Sequence, residues 1–322
     1  MLLRGLKAHV ARRRQESPRW PIADLAAVVT VTDDGGSSGR LRREYRILPP
    51  GDIRNCMVAL AKDEALLSRL FHYRFHAGRG LRGHSFGNLF LTALTSITGD
   101  FTEAVRLSGQ VLPIRGRIFP STARNVTLEA ELEDGTRVAG ETQIARVARI
   151  TRRRIRRIRL VPRRVRPLPE VLKAIRAADL ILVGPGSLYT SLIPNLLVEG
   201  VADAIRRSRA TRVYIANLMT QPGETSGFTA ADHVRAIYAH TRPGLFDWIV
   251  LNRAPISGPL LCRYRAERAQ PVEIDLDELK RLKLRCIFDS LAEVDGVVRH
   301  HPERLARLLL EEFIHCRSRS SS

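Results

Sequence analysis

Short, continuous apolar runs separated by polar, glycine-containing loops dominate the pattern of the chain. Residues 26–31 (AAVVTV), 180–183, 213–216, 248–251 and 286–288 are too short for helices. They are rich in branched or aromatic residues, as strands buried on both faces of a parallel sheet are. Between them, apolar residues recur at helical spacing. Residues 1–14 place Leu2, Leu3, Leu6 and Val10 on one face; 89–97 and a stretch near 230–239 read as helices; and 302–315 presents Leu305, Leu308, Leu309 and Phe313. The repeated order of strand, polar loop and helix predicts an α/β fold with a doubly wound, mostly parallel sheet whose loops share one edge. Residues 111–166 depart from that pattern: 126–132 and 137–144 alternate like strands joined by an Asp134-Gly135 hairpin turn. The run 149–166 then alternates arginine with Ile150, Ile155, Ile158, Leu160 and Val165, as a solvated strand face would. The expected organisation is one domain from 1–112 and 167–316, a small antiparallel β-hairpin insertion at 113–166 acting as lid or partner surface, and a disordered tail at 317–322. Residues 15–24, with Pro18 and Pro21, form a connector into the first strand.

The loops carry the candidate chemistry. The first strand runs into Asp33 and Asp34, then Gly35, Gly36, Ser37, Ser38, Gly39 and Arg40: two carboxylates followed by a run of backbone N–H and hydroxyl donors with a fixed positive charge. Ligands of open α/β sheets bind at this end of the strands, and successive N–H groups make an anion site. Next, Pro49-Pro50-Gly51 forces a turn, and Asp52 is placed to cap a helix with Arg54 and Asn55 in its first turn. The loop 77–83 then delivers His84, Ser85 and Asn88 to another helix start. His84 reads as a general base, a phosphate donor or a cap-region hydrogen bonder, with binding favoured because no partner carboxylate stands at a readable spacing. Asn88 faces either ligand or solvent. Gly184, Gly186, Ser187 and Thr190 form a third donor loop, while Asn217, Thr220, Gln221 and Asn252 follow later strands and suit recognition of a base or sugar, since amides both donate and accept. Arg299, just before the last helix, closes one side of the site or is a surface residue. The glycine loops suit a diphosphate. Asp33 and Asp34 would repel a bare phosphate, so beside one they call for Mg²⁺, a hydrogen-bonded hydroxyl or a base-catalytic role.

Composition narrows the class. No apolar run in the 322 residues approaches the roughly 18 needed to span a bilayer, and the N-terminus lacks the pattern of a signal peptide, so a cytoplasmic protein is expected. The four cysteines, Cys56, Cys262, Cys286 and Cys316, are scattered and form neither a disulfide framework nor a zinc motif. The net charge of +20 comes mostly from arginine and could mean a polyanionic partner. The arginines are spread over many segments without interleaved aromatics, however, so nucleic-acid binding ranks last.

The stretches VVTVTDDGGSSGRLR, PPGDIRN, GHSFGNLFLTALT, GPGSLYTSLIPNLLV and NLMTQPGET, spanning 28–225, resemble the gluconeogenesis factor family, often called YvcK-like, within the wider CofD-like group related to 2-phospho-L-lactate transferase. The resemblance implies a Rossmann-like fold that binds a nucleoside-diphosphate ligand, a UDP-sugar such as UDP-GlcNAc. It also implies a regulatory role in cell shape, peptidoglycan synthesis and growth on gluconeogenic carbon, with a cell-wall-synthesis protein as partner. The alternative is a transferase of the 2-phospho-L-lactate transferase type, using a nucleotide-activated donor with Asp33 and Asp34 as Mg²⁺ ligands or base. Relatives begin with a strand and a GGGTG loop before a helix resembling residues 2–7, so a start upstream of Met1 is expected.

Overall fold

The apolar runs become the strands of two parallel ladders in the structure, a computed structural model that describes residues 1–16, 22, 24–62, 65–256 and 258–315. Pro18, Pro21, Cys316 and the tail 317–322 lie outside the described residues. Helix α1 (Leu2–Glu16) precedes β1 (Ala26–Val29), α2 (Gly36–Tyr45), α3 (Gly51–Leu60), α4 (Ala65–His72), α5 (Phe86–Thr98), α6 (Phe101–Val111) and β2 (Arg117–Pro120). An antiparallel unit follows: β3 (Thr127–Leu132), β4 (Arg137–Ala139), α7 (Glu141–Thr151) and β5 (Ile155–Val161). The parallel pattern resumes with α8 (Pro169–Ala177), β6 (Leu180–Val183), a π-helical turn Leu188–Leu192, α9 (Ile193–Leu197), α10 (Val201–Arg207), β7 (Thr211–Ile215), α11 (Ala230–His240) and β8 (Trp248–Asn252). The chain closes with α12 (Pro259–Ala266), α13 (Leu276–Arg281), β9 (Arg285–Asp289), a β10 (Ala292–Asp295) and β11 (Val297–His300) hairpin, α14 (Pro302–Leu310) and a π-helical turn Glu311–His315.

Strands β6-β7-β8-β9 pair in that order, all parallel, and β1 pairs parallel with β2 in a second ladder. Alternate residues of β7 serve two cores, the signature of a sheet covered on both faces. Val213 and Ile215 pack with Val250, Leu305, Leu309 and Phe313, whereas Tyr214 faces the main core with Ile249 and Leu251. Gly5 lets α1 lie directly on α14, because a Cβ there would overlap the Pro302 carbonyl oxygen. Lys7 Nζ then donates to the Ala61 carbonyl at 2.6 Å and ties α1 to the end of α3. No helix among the described residues is long and apolar enough to cross a membrane.

The segment 111–166 divides differently from its sequence pattern. Strand β2 is parallel to β1, so the antiparallel sheet, ordered β4-β3-β5, starts only at Thr127. The Asp134-Gly135 hairpin forms, with Gly135 at φ 83° and the Asp134 carboxylate accepting from Thr136 N at 3.1 Å. The expected strand 137–144 does not: β4 ends at Ala139, Gly140 turns the chain at φ 92°, and α7 begins at Glu141. Ile144 and Ala148, four residues apart, are both fully buried, so helical rather than strand periodicity wins there. The arginine run is likewise the end of α7 followed by β5, whose Arg156 and Arg159 pair across the sheet with Glu131 and Glu129. Ile158 N donates to His240 Nε2 at 2.9 Å, fastening this unit to α11.

Candidate ligand-binding site

Three helix N-termini, those of α2, α3 and α5, converge around the loop after β1. The β1–α2 turn is tight: Gly35 N donates to Asp33 Oδ1 at 2.9 Å, and Gly39 N to the Gly35 carbonyl at 2.9 Å. Gly51, at the start of α3, faces Asp33 and Ser38: a Cβ there would stand 3.0 Å from Asp33 Oδ2 and overlap Ser38 Oγ. Ser37 is the junction with α5, its hydroxyl accepting from Asn88 Nδ2 at 3.1 Å and lying 3.0 Å from His84 Nδ1. Ser85 caps α5 by accepting from Asn88 N. Burial, with Arg40 next in weight, holds the His84 imidazole below its ordinary value. Arg40 donates to the Arg82 carbonyl at 2.7 Å and pins the loop before His84. Arg54 is buried, donates to Asn55 Oδ1 at 2.7 Å, and leaves its Nε without a partner. Asp52, expected as a helix cap, makes no cap bond. It sits in the first turn of α3, which Pro50 precedes, and burial, with Asp33 beside it, pushes its carboxyl up to about 6.

The structure adds two acids and a threonine that the sequence reading left unassigned. Glu141, at the start of α7, accepts from Thr32 Oγ1, and burial followed by the charges of Asp33 and Asp52 pushes its carboxyl up to about 8. Thr142 donates to Asp34 Oδ1 from its backbone N at 2.9 Å and its hydroxyl at 2.8 Å. Glu224 is buried, its carboxyl pushed up to about 7 by burial, and its Oε2 has no hydrogen-bond partner. Both acids occur in the same tripeptide, Gly-Glu-Thr, at 140–142 and 223–225, with each glycine at positive φ. That repeat is the signal that could have found them. Gly223 packs on the backbone of α7, since a Cβ there would stand 2.7 Å from Arg149 N.

Replacing Thr142 by valine removes one of the two bonds to Asp34. The expected loss is about 1 kcal/mol of stability, read from a denaturant midpoint, with the fold retained.

The loop after β6 forms the other wall. Gly184 holds φ 98° against the Ile215 carbonyl, and Asn217 Nδ2 donates to the Gly186 carbonyl at 3.0 Å. Gln221 Nε2 donates to Ser187 Oγ at 2.8 Å, while Thr190 is buried in the π-helical turn. Asn217 Oδ1 and Gln221 Oε1, like Glu224 Oε2, are buried acceptors with no donor. Buried polar atoms are rarely left so without a ligand or water to meet them.

Thr220 and Asn252 are hydrogen-bonded to neighbouring backbone, and Arg299 lies on the surface. Thr220 pairs with the Gln270 backbone, accepting from Gln270 N at 3.0 Å. The Asn252 amide accepts from Leu291 N at 2.9 Å and Ala292 N at 3.0 Å and donates to the Ala254 carbonyl at 2.8 Å, locking the end of β8. With Asn217 it lines a cavity of about 130 Å³ walled mainly by apolar residues. Arg299 is exposed on β11, opposite Glu293 in the hairpin. Asp33 Oδ2 faces Gly51 and Asp34 Oδ2 faces Gly140, and no group of three or more His, Cys, Asp or Glu among the described residues is arranged to hold a metal.

Loops gathered at the strand ends of an open α/β sheet mark the class of folds whose ligands bind in that crevice, and comparison with known proteins narrows it. The family model described as 2-phospho-L-lactate transferase CofD matches residues 1–292, and the chain belongs to that family. A relative from Nostoc sp. is 49% identical over 97% of this chain and 66% of its own length, so this chain spans just under two thirds of that protein. A protein of Halalkalibacterium halodurans named gluconeogenesis factor is 47% identical over 97% of this chain and 92% of its own. The crystal structure of a UPF0052-family protein from Bacillus halodurans superposes with a TM-score of 0.88 at 46% identity, covering 96% of this chain and 94% of that one.

Proposed function

We propose that the chain is a gluconeogenesis factor: a non-catalytic, cytoplasmic regulator that binds a nucleotide sugar of the UDP-GlcNAc kind and couples its level to peptidoglycan synthesis, cell shape and growth on gluconeogenic carbon, through a cell-wall-synthesis protein partner. The observation that carries the reading is the polarity of the crevice. One wall offers donors, the N-termini of α2 and α3 with Arg40 and Arg54, which suit a diphosphate. The other offers buried acceptors without donors, Asn217 Oδ1, Gln221 Oε1 and Glu224 Oε2, which suit sugar hydroxyls or a base N–H. The relatives named gluconeogenesis factor support the gluconeogenic part of the reading.

A second reading is favoured by the crowding of Asp33, Asp34, Asp52 and Glu141. Two of them, Asp33 and Asp34, could hold Mg²⁺ only together with ligand phosphates, as in a transferase that moves a phosphorylated group from a nucleotide-activated donor, where the metal would supply charge neutralisation at the phosphates. Calorimetric titration of UDP-GlcNAc with and without Mg²⁺, followed by recovery of the nucleotide, separates the two. Saturable, metal-independent binding with the ligand recovered intact is the expected result. Absence of binding by any UDP-sugar overturns the regulator, and Mg²⁺-dependent release of nucleotide from a donor establishes the enzyme.

A further inference from the structure

An open surface hollow of about 570 Å³ is lined by Arg124, Pro162, Arg164, Arg166 and Glu199, all exposed and none of them part of the crevice loops. Its frame is tied together by backbone contacts. Thr122, fully buried, donates from its hydroxyl to the Arg166 carbonyl at 2.7 Å and accepts from Arg124 N at 3.1 Å, so one side chain holds both arginines in register. Glu199 N donates to the Val165 carbonyl at 2.9 Å, and Val165 and Val198 are buried behind the lining. Three exposed arginines and one exposed glutamate therefore line it, and none of the three arginines has an ion-pair partner among the described residues. That contrasts with Arg153, Arg156 and Arg159 on the same unit, each paired with an acid.

Unpaired guanidiniums gathered around a concavity repel one another and focus a positive potential into it. The volume falls in the range of small-molecule sites, and the planar fork of arginine matches phosphate oxygens in pairs. We propose that this hollow is a second ligand site that takes a small polyphosphorylated compound, held by Arg124, Arg164 and Arg166, with Glu199 accepting from a hydroxyl or amine on the same ligand.

Isothermal titration with inorganic tripolyphosphate at physiological ionic strength, where diffuse surface attraction is screened beyond about 8 Å, tests it. One saturable site is expected, unaffected by prior saturation with UDP-GlcNAc. Replacing Arg124, Arg164 and Arg166 together by alanine is expected to weaken it roughly tenfold or more. A control with Arg137, Arg146 and Arg157 replaced by alanine removes the same charge from exposed positions outside the hollow and is expected to bind as the parent does. The proposal is overturned by an equal loss in the control, by unchanged affinity in the hollow variant, by displacement with UDP-GlcNAc, or by binding of oligo-glutamate or duplex DNA in place of tripolyphosphate.

Discussion

Replacing Gly39 by alanine is expected to abolish nucleotide-sugar binding and to destabilise the protein by about 3 kcal/mol, the upper part of the range for forcing atoms into a packed site. A Cβ at Gly39 would overlap the Asp34 carbonyl oxygen and crowd its carbonyl carbon, both backbone atoms that cannot swing aside. Relief requires α2 to lift from the end of β1, which carries Ser37 away from His84 and Asn88 and opens the gap between Ser38 and Gly51. Gly36 provides the contrast within the same loop. It has φ 45° but nothing within 4 Å of a Cβ, so alanine there meets only the left-handed backbone cost of about 1 kcal/mol. Urea midpoints and calorimetry on the two variants read the difference. A Gly39→Ala protein as stable and as competent as Gly36→Ala would show that the close approach does not build the site.

The second large effect is a fall in stability as pH rises. Glu141, Glu224 and Asp52 have folded-state values of about 8, about 7 and about 6, raised in each case chiefly by burial. Unfolded carboxyls titrate near pH 4, so between about pH 4 and each folded value the native state holds a proton that the unfolded chain has released. These groups therefore favour the folded state at low pH, and that advantage is lost as pH rises through about 6, 7 and 8. Glu141→Gln keeps the acceptor for Thr32 and removes the ionisation with the highest value. It is expected to flatten the decline between about pH 4 and 8 and to gain on the order of 2–3 kcal/mol over the parent at pH 9, after allowance for solvent screening. A parent that is equally stable at pH 6 and 9 would contradict the burial of this acid. The same protons separate the two functional readings. Metal-free binding of a diphosphate should weaken as pH rises through about 8, because ionised Glu141 repels it, whereas Mg²⁺-dependent binding should strengthen as the cluster ionises.

Much of the frame is local and was readable in the chain. The strand ending at Asp33 and Asp34, the hairpin at Asp134-Gly135 and the apolar stripe of α14 each arise from interactions among neighbouring residues: burial periodicity, a turn that needs positive φ, i to i+4 packing. The loops of Ser37, Ser187 and Gln221 also followed from their position after buried strands, and that of His84 and Asn88 from the glycines before a helix start. The partners of individual side chains did not follow. Thr142 reaches Asp34 across 108 positions of sequence, and Glu141 reaches Thr32 across 109; no local pattern records either contact. Gly140 looks like a strand residue until its backbone turns and Ile144 and Ala148 find a core to enter. Asn252 and Thr220 look like ligand readers until the backbones of Leu291, Ala292 and Gln270 claim them. The sequence by itself thus determined the order of strands, loops and helices, and the edge at which polar groups collect, because periodicity and turn chemistry act over a few residues. Which acids lie buried together, and which amides remain free for a ligand, was decided only by tertiary structure, because burial and hydrogen-bond competition depend on groups brought together from distant parts of the chain.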